Sequence, residues 1–175
     1  MADTPEIPEA KNPFETRVAV CIAILAALLA FVSMRGDNAK TDAVIRTTEA
    51  SNQWSFFQAK TIREHALTVQ NNLLDAINPS ALNGDLAAKT KAKANEDIAR
   101  YKSERDEIKT KAEALAKEAT TFSAINDRCD LGALFMQIAI VILSAAILAR
   151  MNLMFYIGAG LGLAGAITGL SSLLI

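Results

Sequence analysis

Charge is missing from three long stretches of this chain and crowded into the remainder. No Asp, Glu, Lys, Arg or His falls within residues 18–34, 131–149 or 151–175, whereas residues 35–130 carry all four of the common charged types. A water-soluble core interleaves polar and apolar positions, so this segregation excludes a soluble globular domain. Each run approaches or meets the ~17–25 residues that a helix needs to cross hydrocarbon. The expected fold is an all-α membrane protein with three transmembrane helices and a long antiparallel, coiled-coil-like helical hairpin between the first and second.

Residues 1–17 read as a leader and helix cap. Asn12-Pro13-Phe14-Glu15 offers a capping side chain, a Pro at the first helical position and an acid two residues later. The leader sets Asp3, Glu6, Glu9 and Glu15 against Lys11 and Arg17, acidic where a secretory signal is basic. The run 18–34 also exceeds the ~7–15 apolar residues of a signal. An uncleaved anchor is expected. Runs 131–149 and 151–175 are parted by Arg150, which forces a transmembrane hairpin with Arg150 snorkelling at its tip. Three crossings place the amino terminus on one side and the 35–130 excursion on the other. Lys11, Arg17 and Arg150 favour a cytoplasmic amino terminus and an outside hairpin, although Arg35, Lys40, Arg46 and Arg128 weigh against it.

Within the excursion, Asn78-Pro79-Ser80 and Asn83-Gly84-Asp85 are the strong breakers. They leave equal arms, 35–78 and 85–128, each reaching roughly 65 Å as a helix. Asp85 is the expected N-cap of the descending arm. Ala94, Ile98, Tyr101, Arg105, Ile108, Ala112, Leu115, Ala119 and Phe122 alternate steps of four and three, a heptad seam. Its register runs on through Asn126, Cys129, Ala133, Met136, Ile140 and Leu143, which predicts one helix from the hairpin into the second span. Glu96/Arg100, Glu107/Lys111 and Glu113/Lys117 are acid-before-base pairs on its solvated face. In the ascending arm, Ala50, Trp54 and Phe57 form a stripe that Ile62, Ala66, Val69, Leu73 and Ile77 continue only after a step of five, so the seam is expected to slip. Gly36 is expected to kink the helix near the lipid.

Trp54, Phe56 and Phe57 present more apolar surface than one hairpin partner can cover, since Phe56 and Phe57 lie about 100° apart around a helix. A bundle follows, formed by self-association or with another membrane protein. Arg105 at a seam position is a register device, with Glu49, Glu64 or Asp75 as candidate partners. In the last span Gly158, Gly162, Gly165 and Gly169 share one face and mark a helix-packing interface, within the chain or between chains. Gln137, Ser144, Thr168 and Ser171 are candidates for interhelical hydrogen bonds.

Several patterns point away from chemistry. Lys and Arg number 18 against 19 Asp and Glu, a net charge of -1 that gives no electrostatic case for nucleic acid. Two cysteines and one histidine make neither a disulfide framework nor a zinc site. Gly160 to Gly165 matches a dinucleotide-binding pattern but has no preceding strand and no acidic partner. Arg35-Gly36-Asp37 spells an adhesion tripeptide against the lipid. His65 reads as a lone surface histidine, and Cys129 as a seam residue, with cross-linking of subunits as the alternative. No nucleophile–base–orienter set is present, so no catalytic residue, cofactor or metal is expected.

The stretch Thr48-Glu49-Ala50-Ser51-Asn52-Gln53-Trp54-Ser55-Phe56-Phe57-Gln58-Ala59-Lys60-Thr61-Ile62-Arg63-Glu64-His65, with Thr41-Asp42-Ala43 and Asn12-Pro13-Phe14-Glu15, resembles a bacterial membrane family known as domain-of-unknown-function family 4337. The resemblance implies a small multi-pass protein of the bacterial inner membrane with a helical middle, and no activity. The expected role is a non-catalytic, membrane-anchored, homo-oligomeric helical scaffold whose contacts are lipid, its own copies and an unidentified membrane protein. The alternative is a pore-forming or transport-accessory subunit.

Overall fold

The computed structural model describes residues 13–76 and 84–174, and all of these are helical except Arg150 and Met151. Helix α1 (Pro13–Ala76), α2 (Gly84–Ala149) and α3 (Asn152–Ser171) follow in chain order, and a short 3-10 turn, Ser172–Leu174, ends the described chain. Pro13 opens α1, where a missing N–H removes no helical bond and a fixed φ suits the first turn. Glu15 occupies that first turn, beside the positive end of the helix dipole. The capping Asn12 and the breaker Asn78-Pro79-Ser80 lie outside the described residues, as does Ile77.

α1 runs through Gly36 as continuous helix. Gly36 is buried, and a Cβ there would lie 2.9 Å from the Cβ of Cys129, so glycine serves the close approach of α2. α2 begins at Gly84, which puts Asp85 inside the first turn instead of at the cap, with its carboxylate 2.7 Å from Lys89.

α2 ends at Ala149, and Arg150 after it has a φ of 50°, in the left-handed region that usually falls to Gly or Asn after a helix. A side chain in that conformation costs about 1 kcal/mol. Here the side chain has a partner: the Arg150 guanidinium donates to the Glu15 carboxylate at 3.4 Å. That pair joins the start of α1 to the α2–α3 turn.

The described residues fall into two units. One holds those up to Thr41 and those from Thr121 onward; the other spans Asp42–Thr120. In the first unit the three helices share a core. Val18, Leu25, Val32 and Ala39 recur every seventh residue along α1 and are 0–6% exposed. They pack with Ile125, Cys129, Met136, Ala139 and Leu143 of α2, ringed by Phe14, Leu29, Phe122, Phe155 and Leu161. The outer surface is different. The most apolar windows of α1, α2 and α3 have mean hydropathies of 2.4, 2.5 and 1.7, yet only 17%, 33% and 22% of each is buried. All three helices are long and apolar enough to cross a membrane. Surface of that kind is favourable in hydrocarbon and unfavourable in water.

The second unit is an antiparallel pair of arms. Arg46 meets Glu118, Lys60 meets Glu104, Asn71 meets Asn95 and Asp75 meets Lys91, so positions fall along α2 as they rise along α1.

Candidate functional site

In the three-helix unit, Gly158, Gly162, Gly165 and Gly169 are all buried along one face of α3. Their neighbours belong to the same chain. A Cβ on Gly158 would lie 2.9 Å from Leu143, one on Gly162 2.6 Å from Leu25, and one on Gly169 2.8 Å from Val32. Gly165 meets backbone: a Cβ there would fall 2.8 Å from the Gly132 carbonyl oxygen and 2.9 Å from the Met136 nitrogen. Gly132 in turn would place a Cβ 2.6 Å from the Gly169 nitrogen. α2 and α3 therefore touch main chain to main chain, the arrangement that small residues permit in lipid. Gly132 escaped the sequence reading because it stands alone in its span, with no stripe around it. Gly160 points into open space.

The polar groups of this unit also depart from expectation. Ser144 and Thr168 donate to carbonyls of their own helices, Ile140 and Ala164, and Ser171 donates to Thr168. They form no bond between helices. A polar contact between elements is made instead by Cys129 Sγ with Ser172 Oγ at 3.3 Å, and Cys129 is 1% exposed. Cys129 is therefore closed off from cross-linking another subunit. Arg35-Gly36-Asp37 lies within α1 with its glycine buried, not on a loop.

In the hairpin unit the seam of α1 does not slip. Ala43, Arg46, Ala50, Gln53, Phe57, Lys60, Glu64, Leu67, Asn71 and Leu74 follow steps of three and four throughout, and each is buried or half-buried. Half of them are polar. Ile62, Val69 and Leu73, which the hydrophobic pattern placed in the seam, are 68%, 65% and 60% exposed. The slip was an artefact of following apolar residues where the contact is carried by polar ones.

Glu64 and Arg105 occupy the middle of this seam. Arg105 Nη1 donates to Glu64 Oε2 at 2.9 Å, Lys102 Nζ lies 3.9 Å from the other carboxylate oxygen, and the guanidinium sits 5.7 Å from the Phe57 ring. Of the three candidate partners for Arg105, the structure selects Glu64. One turn away Lys60 donates to Glu104 and lies 4.9 Å from the Tyr101 ring. That hydrogen bond holds the Glu104 carboxyl below the usual carboxylate range. Towards the far end, Asn71 Nδ2 donates to Asn95 Oδ1 at 2.8 Å, while Asn71 Oδ1 is buried with no partner among the described residues. Arg100 pairs with Asp97 at 2.7 Å and Glu104 at 3.7 Å rather than with Glu96, and Glu113 faces Lys109 at 3.9 Å.

On α2, Leu115 is buried, and Ile98, Tyr101, Arg105, Ile108 and Phe122 are half-buried. The first five belong to the hairpin unit and Phe122 to the three-helix unit. Trp54 and Phe57 meet edge to face at 5.4 Å, half-buried, whereas Phe56 is left 59% exposed. His65 is exposed. Among the described residues no group of three His, Cys, Asp or Glu side chains converges. What this surface can do chemically is pair helices.

A family model described as Domain of unknown function (DUF4337) matches residues 14–175. No curated protein and no solved structure matches the chain.

Proposed function

Since the chain belongs to that family, whose description assigns no activity, we propose a role from its own geometry: a non-catalytic, membrane-anchored helical scaffold that works as a homo-oligomer. The carrying observation is the apolar surface of the hairpin unit. Phe56, Ile62, Val69 and Leu73 stand 59–68% exposed among charged neighbours. Lipid does not cover side chains in a stretch this charged, so protein does. The three apolar helices supply the anchor, in the cell membrane of a bacterium. Three crossings put Glu15 and Arg150 on one side of the membrane and residues 35–130 on the other.

The test is native mass spectrometry of the full chain in lipid nanodiscs. A discrete multimer is expected, and a strict monomer overturns the reading. Orientation is read separately, with Lys89→Cys and Arg150→Cys and a membrane-impermeant thiol reagent added from outside the cell. Labelling of Lys89→Cys alone is expected. Labelling of Arg150→Cys alone reverses the orientation.

A further inference from the structure

The face of α1 turned away from the hairpin seam has a regularity of its own. Ile45, Ala59, Ile62, Ala66, Val69 and Leu73 lie on it, and every one is exposed. Thr48, Asn52 and Ser55 fill the remaining positions, so from 45 to 73 the face advances by alternating steps of three and four, a second heptad seam. It contains no charged residue. The hydroxyls of Thr48 and Ser55 are turned inward, donating to the Val44 and Ser51 carbonyls of their own helix. The corresponding outer face of α2 is the opposite in character, carrying Lys89, Lys93, Glu96, Arg100, Glu107 and Lys117.

We infer that this charge-free outer face of α1, most apolar at Ile62, Ala66, Val69 and Leu73, packs in parallel against the same face of a second copy of the chain. Copies inserted in one membrane with one topology are related by rotation about the membrane normal. Each residue at such an interface meets its own counterpart at the same height. A charge there would face an identical charge, so a homotypic seam must be uncharged, while a seam for a different protein gains specificity from charge. The outer face of α1 meets that condition over four heptads, and that of α2 fails it at six positions. Asn52 adds a second mark, because one Asn in an otherwise uncharged seam pairs with itself and fixes parallel register.

The inference rests on the oligomeric reading above and is separable from it by experiment. Ile62→Cys, Val69→Cys, Lys93→Cys and Glu107→Cys are made singly in the full chain and oxidised in native membranes, with the parent chain, which retains Cys21 and Cys129, as baseline. Ile62→Cys and Val69→Cys should each give a disulfide-linked pair of identical chains, and Lys93→Cys and Glu107→Cys should stay at the parent level. Val69→Glu, which sets like charges against each other, should abolish the multimer seen by native mass spectrometry while helical content is retained. A multimer that persists in Val69→Glu, or links only through α2, overturns the inference and leaves the oligomer standing. A disulfide from Ile62→Cys to a different protein overturns the second copy as occupant. A monomeric parent overturns both.

Discussion

Glu64 and Arg105 form the one strongly buried ion pair of the hairpin unit among the described residues, with Arg105 Nη1 2.9 Å from Glu64 Oε2 and only 11% of the Glu64 side chain exposed. Removing Glu64 leaves Arg105 against Phe57 and Lys102, with only the exposed Asp106 carboxylate at 3.8 Å. Glu64→Ala should therefore lower stability by about 2 kcal/mol, less than for a fully dry pair because Arg105 remains 27% exposed. Replacing both by Leu removes the desolvation penalty together with the attraction. That double variant should lie within about 1 kcal/mol of the parent. Thermal melting of the helical signal in detergent measures all three proteins, and a double variant that loses more stability than Glu64→Ala would show that the lone Arg105 charge is not what costs Glu64→Ala its stability.

Gly132 and Gly160 make opposite predictions from the same substitution. A Cβ on Gly132 would lie 2.6 and 2.7 Å from backbone atoms of Gly169, which have no flexible end to swing aside. Gly132→Ala should cost about 1–3 kcal/mol through overpacking. Gly160 has nothing within 4 Å, so Gly160→Ala should be neutral or slightly stabilising through helix propensity alone. Equal melting temperatures for the two variants would mean that α2 and α3 do not approach at Gly132.

The contrast between these sites shows where the sequence is informative. Three apolar runs and a single Pro- and Gly-containing break are compositional signals, and the helices follow them: α1 carries residues 18–34 onward to Ala76, and α2 carries its hairpin arm into residues 131–149. The face that α3 buries is visible in the spacing of its glycines, but its neighbours are not, because Leu25, Val32 and Gly132 become neighbours only once three helices are assembled. The seam of α1 was hidden for a different reason. Hydrophobic periodicity finds contacts made of apolar residues, and Lys60, Glu64 and Asn71 sit at contact positions because each has a polar partner on α2. Charge spacing on one arm cannot show that, since the partner lies dozens of residues away. The apolar residues displaced from the seam, Ile62, Val69 and Leu73, then mark the outer face.

Acid should loosen the hairpin through Glu104. Its carboxyl is held low chiefly by the hydrogen bond from Lys60, with the Lys60 and Arg100 charges acting in the same direction. A carboxyl whose folded pKa lies below its unfolded value stabilises fully above the unfolded value, about 4.3 for Glu, and the contribution disappears as pH falls through the depressed folded value. Lys60→Met should bring the Glu104 titration, followed by carboxyl-selective NMR, back up towards the ordinary range and flatten the acid side of the stability profile. An unchanged Glu104 titration in that variant would remove Lys60 as the cause.

Asn71 should trade stability for register. It is 7% exposed in the seam, its amide nitrogen donates to Asn95, and its carbonyl oxygen is buried with no donor among the described residues. A half-satisfied buried amide is worse than an apolar side chain of similar size, so Asn71→Leu should raise stability by about 1 kcal/mol. The gain comes with a loss of information. Without the Asn71–Asn95 bond, the arms beyond Glu64–Arg105 are held in step by Asp75–Lys91, whose side chains are 60% and 41% exposed and which contributes little. Spin labels at Gln70 and Lys93 should report one narrow distance in the parent and a broader distribution in Asn71→Leu. A melting temperature that falls, or a distribution that stays narrow, would show that Asn71 acts as ordinary packing and that register is set elsewhere in the seam.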